Sequence, residues 1–296
     1  MNNNSHNCSP SDWDDFKAGN AENMMSARDA FTRFKKFKEI FDLLPKSELL
    51  DRGWIKSKND ISSLVSFYND FNDTSSFSLF RKSENANDTL ISLWISKIKE
   101  AAIAEVISSD TPKFIEIDRS FIKNLAQSSV SEDNIKDIKQ HLAARGIILI
   151  YLKSLPGMKL DGVVFNLCSG NPVIGMSLRF PRLDYFWFTL IHELAHIVLH
   201  KKLLDTPILD DIDAKENSSI EIEANRLTHS TFVDRALWRN CEPKYNKSEE
   251  SIKRFARTVN IHPTIIAGMI RRESGDYASY SKLVNSINVR EILGYD

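Results

Sequence analysis

The 296-residue sequence has few cysteines, no long apolar run and no surplus of either charge. Its three cysteines, Cys8, Cys168 and Cys241, are far apart and form no CxxC pair, which excludes a disulfide framework and a cysteine-ligated zinc site. The longest apolar runs, such as residues 147–152, are far shorter than the roughly 20 residues that a membrane helix needs. Lysine and arginine number 39 against 40 acids, and this net charge of -1 argues against binding nucleic acid by bulk electrostatics.

The beginning of the sequence lacks both a basic region and an apolar segment, so no secretory signal is expected. Residues 1–25 are rich in Asn, Ser and Asp without an apolar period, which predicts a disordered lead. The apolar content of 42% is enough for a sizeable core. We therefore expect a cytoplasmic globular protein with a helical region over residues 26–110, which offers a partner-binding surface, and a second domain over residues 111–296.

Apolar periodicity predicts an α+β fold that is mostly helical. Three β-branched runs with Gly- and Pro-containing turns between them predict a small three-stranded sheet or meander. A long apolar segment at residues 184–200 predicts a buried helix, against which this sheet is expected to pack. The strands are expected at 147–152, 163–167 and 173–178, and the earlier helices at about 26–44, 61–71, 88–107, 118–128 and 132–145.

The buried helix carries an HExxH motif, His192-Glu193-Leu194-Ala195-His196. Histidines four residues apart lie on one face of a helix, where both imidazoles can bind one zinc ion. Glu193 follows the first histidine and is placed to act as a general base. His200 lies eight residues from His192, about 12 Å along the helix axis, so these two histidines are not expected to share an ion.

A zinc peptidase site needs a third protein ligand, and residues 219–232 offer two candidates. Glu223 falls on the apolar face of this predicted helix, where a carboxylate needs a strong partner such as a metal ion. Glu221 is the alternative ligand, or a solvated acid in the first turn. Ser218 or Ser219 is expected to cap the helix.

The segment FWFTLIHELAHIVLH at 186–200, followed by EIEANRL at 221–227, resembles the ImmA/IrrE family of zinc metallopeptidases. The resemblance covers about residues 116–296 and continues in LPGMKLDG at 155–162, in residues 173–182 and in the region 255–268. It implies a zincin-like core in which His192, His196 and Glu223 bind Zn²⁺ and Glu193 is the catalytic base.

Upstream, LLP at 43–45, RGWI at 52–55 and LFRKS at 79–83 resemble the segment that joins a helix-turn-helix to the peptidase domain in HigA-like regulators. Only about 40 residues precede that segment here, and half of them read as a disordered lead. The sequence therefore departs from that subgroup by lacking room for the helix-turn-helix, and direct DNA binding is not expected.

The resemblance implies a bacterial, intracellular endopeptidase that cleaves a specific regulatory protein, such as a repressor, an antitoxin or a stress regulator. A non-catalytic, antitoxin-like binding module on the same scaffold is the alternative, and the retained Glu193 favours the enzyme. An extended substrate is expected to add to a sheet edge at residues 173–178.

Four further residues are candidates for supporting roles near the catalytic helix. Arg182, Tyr185 and His229 are candidates for stabilising an oxyanion or contacting substrate. Asp184 is expected to cap the catalytic helix, with orientation of a zinc histidine as the alternative.

Overall fold

The computed structural model describes residues 27–42, 44–58, 62, 63, 65, 86–210 and 218–295. The predicted lead at 1–25 and nearly all of the predicted helix at 61–71 lie outside these described residues. Within them the fold is α+β and mostly helical, as the sequence predicts. None of the described helices combines the length and the apolar character that a membrane span requires.

The described helices that precede the sheet lie where the sequence predicts helices, except for a short one at Lys46–Asp51 that it did not reveal. Asp118 caps one of them by accepting a hydrogen bond of 2.9 Å from the backbone N–H of Phe121. Gly146 adopts a left-handed φ of 71° after another, where a side chain would collide with the backbone of Lys113. These helices are α1 (Ala27–Asp42), α2 (Lys46–Asp51), α3 (Ala86–Ser108), α4 (Arg119–Gln127) and α5 (Ile135–Ala143).

The sheet contains the three predicted strands and a fourth that the sequence did not reveal. The strand order is β1-β3-β2-β4, with β1 and β3 parallel and the other pairs antiparallel. A meander is therefore wrong, because β3 lies between β1 and β2, and residues 173–178 are not at an edge. The strands are β1 (Ile148–Tyr151), β2 (Gly162–Asn166), β3 (Pro172–Met176) and β4 (Ile208–Asp210).

Helices cover both faces of the sheet. On one face lies α6 (Leu183–Leu199), the helix that carries HExxH, and its Trp187 side chain is fully buried. On the other face lies α3, where Trp94 is fully buried and donates a hydrogen bond of 2.8 Å to the carbonyl of Leu152. Gly175 in β3 lets α3 approach closely, because a Cβ there would lie 3.1 Å from a methyl of Ile98. The α3 contact crosses the boundary expected near residue 110.

Six further α-helices follow the sheet in the described residues, and two of them pack against α6. Helix α7 begins after Ser218, whose side chain caps the backbone N–H of Glu221 as the sequence predicts. Both α7 and α10 pack against α6. These helices are α7 (Ser219–Phe232), α8 (Arg235–Arg239), α9 (Glu249–Val259), α10 (Pro263–Ser274), α11 (Ser281–Val284) and α12 (Val289–Leu293).

Candidate metal centre

The two histidines of the motif lie one turn apart on the buried face of α6 and point toward the same spot. Their Nε2 atoms are 2.9 Å apart, and the ring centroids are separated by 4.7 Å. Both side chains are almost completely buried. The i, i+4 spacing of a helix therefore converges two imidazole nitrogens in the way that one metal ion requires.

Glu221 supplies a carboxylate to this pair from the first turn of α7. One of its oxygens lies 3.0 Å from Nε2 of His192 and the other lies 3.4 Å from Nε2 of His196. Burial raises the pKa of Glu221, but the contacts with the two histidines outweigh it and bring the value down to about 2. A ligand atom from each of the three residues lies within 4.8 Å of the others.

Glu223, which the family resemblance put in the third-ligand position, is not brought to this cluster. Its side chain is 58% exposed, and one of its oxygens lies 3.3 Å from Nε2 of His200. Glu221 and Glu223 are two residues apart, so about 200° of helical rotation separates them. Glu221 and Asn225 of α7, which contact His192, are polar, and the apolar-face argument therefore pointed to the other side of the helix.

Glu193 is fully buried, and among the described residues neither of its carboxylate oxygens has a hydrogen-bond partner. Its pKa is raised well above the ordinary value by burial, then by the negative charges of Asp210, Glu221 and Asp161. A buried carboxylate without a donor is costly unless a positive charge or a proton compensates it.

Two further buried acids lie near this cluster, one beside His192 and one in an ion pair with Arg179, and the sequence reasoning missed both. Asp210 ends β4, with one oxygen 3.8 Å from Nε2 of His192. Burial lowers the pKa of His192, but Asp210 and Glu221 outweigh this effect and the net shift is upward. Asp161 precedes β2, and its backbone N–H donates to the carbonyl of Asp210. The only sequence signal for Asp210 was its position next to a short apolar run. That signal is weak because β4 has only three residues.

The side chains of this cluster have the donor atoms that a zinc ion binds. Two imidazole nitrogens and one carboxylate are the donor set of a catalytic zinc site that keeps one position open. Glu193, Asp210 and Glu221 lie near the two inward-facing histidines, and a divalent cation would balance their negative charge. His192, His196 and Glu221 would hold the ion, and Glu193 lies beside it without being needed as a ligand.

The candidates at the start of α6 lie away from the metal cluster. Asp184 is not the helix cap, because Arg182 occupies the N-cap position and no side chain caps it. Asp184 is instead buried in an ion pair with Arg182, packed against Gly268 of α10. Tyr185 stacks with Arg182, and it lies two helical turns, about 10 Å, before His192. These residues line a small cavity of about 50 Å³.

His229 lies in the wall of a larger open groove beside α7. Its ring packs against Phe188, with the centroids 5.8 Å apart. Burial, reinforced by the positive charge of Arg272, lowers its pKa to about 4. The groove has a volume of about 850 Å³ and is also lined by Asn225, whose side chain hydrogen-bonds to His192. The groove therefore opens next to the metal cluster.

Residues 143–267, from the end of α5 into α10, match the family model Peptidase_M78, described as the IrrE N-terminal-like domain. The matched segment contains α6, the sheet and α7, and with them every residue of the candidate metal centre. This match supports a relationship to the ImmA/IrrE family and indicates a metallopeptidase-type domain. Comparisons with curated proteins and with solved structures gave no match.

Proposed function

We propose that this protein is a zinc-dependent endopeptidase. The observation that carries the proposal is the arrangement on α6 and α7, where three convergent ligand atoms lie beside a buried carboxylate without a partner. The match of residues 143–267 to a peptidase family supports the same reading. Hydrolysis of an amide needs both an electrophile and a base at one place, and this cluster is suited to both.

Glu193 is the proposed general base. A zinc ion held by His192, His196 and Glu221 would act as a Lewis acid and lower the pKa of water at the open position. Glu193 accepts a proton from the attacking water and then delivers it to the leaving amine. Its burial keeps bulk water from competing for the proton.

Two surfaces near this cluster could bind a peptide substrate, namely the edge of the sheet at β4 and the groove beside α7. Among the described residues β4 pairs only with β2, so β4 is an edge strand, and it ends at Asp210 beside His192. An extended peptide that pairs with β4 would pass close to Glu193. The groove lined by Asn225 and His229 has room for side chains on the far side of the cluster. We propose this edge in place of residues 173–178.

The proposed substrate is a specific regulatory protein of a bacterial cell, such as an antitoxin, a repressor or a stress regulator. This choice rests on the resemblance to HigA-like regulators and to the ImmA/IrrE family. In the proposed arrangement the enzyme acts on a protein and does not itself contact DNA.

The test is co-expression of the protein with the products of its neighbouring genes, followed by mass spectrometry of the fragments. Wild-type protein is expected to yield a cleavage product that Glu193→Gln protein does not yield. Glu132→Gln changes an exposed glutamate in the same way and serves as the matched control.

Zinc content separates the two kinds of failure. If Glu193→Gln protein binds one equivalent of zinc and still performs the biological function, the protein is a binding module and the peptidase proposal is wrong. Wild-type protein that does not bind zinc would remove the basis of the proposal altogether.

A further inference from the structure

A chain of three side chains runs from the metal cluster to the protein surface. His200 is 7% exposed and lies directly after α6. Its Nδ1 is 3.0 Å from Nδ1 of His196, and its Nε2 is 3.3 Å from a carboxylate oxygen of Glu223. Glu223 is exposed at the outer end of the chain. His200 and Glu223 are not among the three residues whose ligand atoms converge, so their contacts need another explanation.

The backbone explains how His200 reaches its neighbour. It occupies the C-cap position of α6, and its N–H donates a hydrogen bond of 2.7 Å to the carbonyl of His196. The two rings follow one another at the i, i+4 spacing, with centroids 5.1 Å apart. His200 therefore packs behind His196, on the side away from His192.

The positions of the nitrogen atoms select one arrangement of protons. Nε2 of His196 faces the cluster, so a neutral ring that binds metal there carries its hydrogen on Nδ1. That Nδ1–H can donate to Nδ1 of His200 only if the His200 ring carries its hydrogen on Nε2. The Nε2–H of His200 then faces the carboxylate of Glu223, which accepts it. Both contacts are satisfied at once by this single arrangement.

We propose that His200 and Glu223 are positioning residues, which hold His196 in the Nδ1–H tautomer and aim its Nε2 at the metal. This inference rests on the metal site of the proposed function. Hydrogen bonds to the distal nitrogen of a ligating histidine orient the ring and raise its basicity, and their loss usually lowers metal affinity by about 10- to 100-fold. The two residues would thereby contribute to zinc affinity without contacting zinc.

The first measurement is the zinc affinity of the full-length protein, determined by competition with a chromophoric chelator. His200→Phe is expected to weaken zinc binding by about 10- to 100-fold, because a phenyl ring fills the space but accepts no hydrogen bond. His200→Gln places a carbonyl oxygen near Nδ1 of His196 and is expected to recover most of that loss. Glu223→Gln is expected to give an intermediate loss, and Glu132→Gln none.

The second measurement is a long-range ¹H–¹⁵N NMR spectrum of the histidine rings in the zinc-loaded protein. The wild type is expected to show a protonated Nδ1 on His196 and a protonated Nε2 on His200. A merely structural role for His200 would lower thermal stability in both His200 variants without separating their zinc affinities.

The inference is overturned if folded His200→Phe protein binds zinc within about twofold of wild type, or if His196 carries its hydrogen on Nε2. Wild-type protein that binds no zinc would overturn this inference together with the proposed metal site. Tight zinc binding with the expected NMR pattern, but without cleavage of any protein, would leave the positioning role standing and remove only the peptidase activity.

Discussion

The α-carbon of Gly162 lies directly against the carboxylate of Glu193, and a methyl group placed on it would overlap a glutamate oxygen and crowd the Thr189 side chain. Strand β2 therefore forms a wall against the proposed base, and the absence of a side chain at its first residue leaves the space that the carboxylate fills. This contact links the sheet to the chemistry, because it limits where the Glu193 side chain can lie.

Substitution of that glycine should disturb catalysis more than metal binding. We expect Gly162→Ala to lower the rate of substrate cleavage by about 100-fold, since a displacement of a catalytic group by about 1 Å has an effect of that size. Zinc affinity should stay close to wild type, because Gly162 does not face the ligand atoms. Asn166→Ala, at the other end of β2, is the control and should retain activity. Equal losses of zinc and activity in Gly162→Ala would contradict this account.

The two glutamates of α7 should differ in their effect on zinc. We expect Glu221→Gln to weaken zinc binding by at least about 100-fold, because it removes a charged ligand from the cluster. Glu223→Gln should have a smaller effect, about 10-fold, because it acts only through His200. Chelator competition on both variants measures the difference. The reverse order would restore Glu223 as the third ligand.

His262 should make the protein less stable in mild acid. Its Nδ1 caps α10 by accepting a hydrogen bond of 3.2 Å from the N–H of Thr264, and burial lowers its pKa to about 4. The unfolded chain protonates this histidine at about pH 6.5, so its contribution to stability is complete above that pH. That contribution is lost as the pH falls from about 6.5 to 4 and does not change further below.

Urea unfolding between pH 8 and pH 4 tests this effect. His262→Asn keeps a capping oxygen without a titrating ring, and at pH 5 it should reduce the proton uptake on unfolding by about one. His141→Asn replaces an exposed histidine and provides the comparison. If the two variants show the same pH dependence as each other, His262 does not carry the effect.

Helix α3 should be part of the stable core of the protein. Trp94 is fully buried against the sheet, so Trp94→Ala is expected to lower the free energy of unfolding by about 3–5 kcal/mol. Ile103 lies on the same helix with 42% of its surface exposed, and Ile103→Ala should cost less than about 1 kcal/mol. Urea denaturation of both variants measures these changes. A loss of unfolding free energy for Trp94→Ala as small as that for Ile103→Ala would mean that α3 contributes little to the stability of the core.

The parts of this molecule that could be predicted from its sequence are those that depend on local geometry. The spacing of His192 and His196 fixes their common face as soon as the segment is helical. The cap at Ser218 and the positions of the first three strands follow from short-range preferences in the same way. None of these features depends on how distant parts of the chain meet.

The features that the sequence did not reveal depend on tertiary contacts between distant segments of the chain. The choice between Glu221 and Glu223 depends on which residues of α7 lie beside the histidines. The apolar pattern was a misleading guide because the residues found there, Glu221 and Asn225, are polar. Strand β4 has only three residues, too few for a periodic signal. Asp184 resembles a cap from its position alone, whereas the partner that decides its role is Arg182 within a packed corner with α10.

In the part of the chain that the structure describes, helices cover both faces of the sheet, and this affects which segment can fold alone. The family match begins at residue 143, after α3 has ended. A fragment that begins there would keep every candidate zinc ligand and the proposed base, yet it would expose the apolar side chains that α3 covers. The exposed surface would be apolar and prone to aggregation, and it would include Ile148, Ile150, Val163 and Phe165. The segment that matches the family model is therefore shorter than the part of the chain that must fold together to keep these side chains buried.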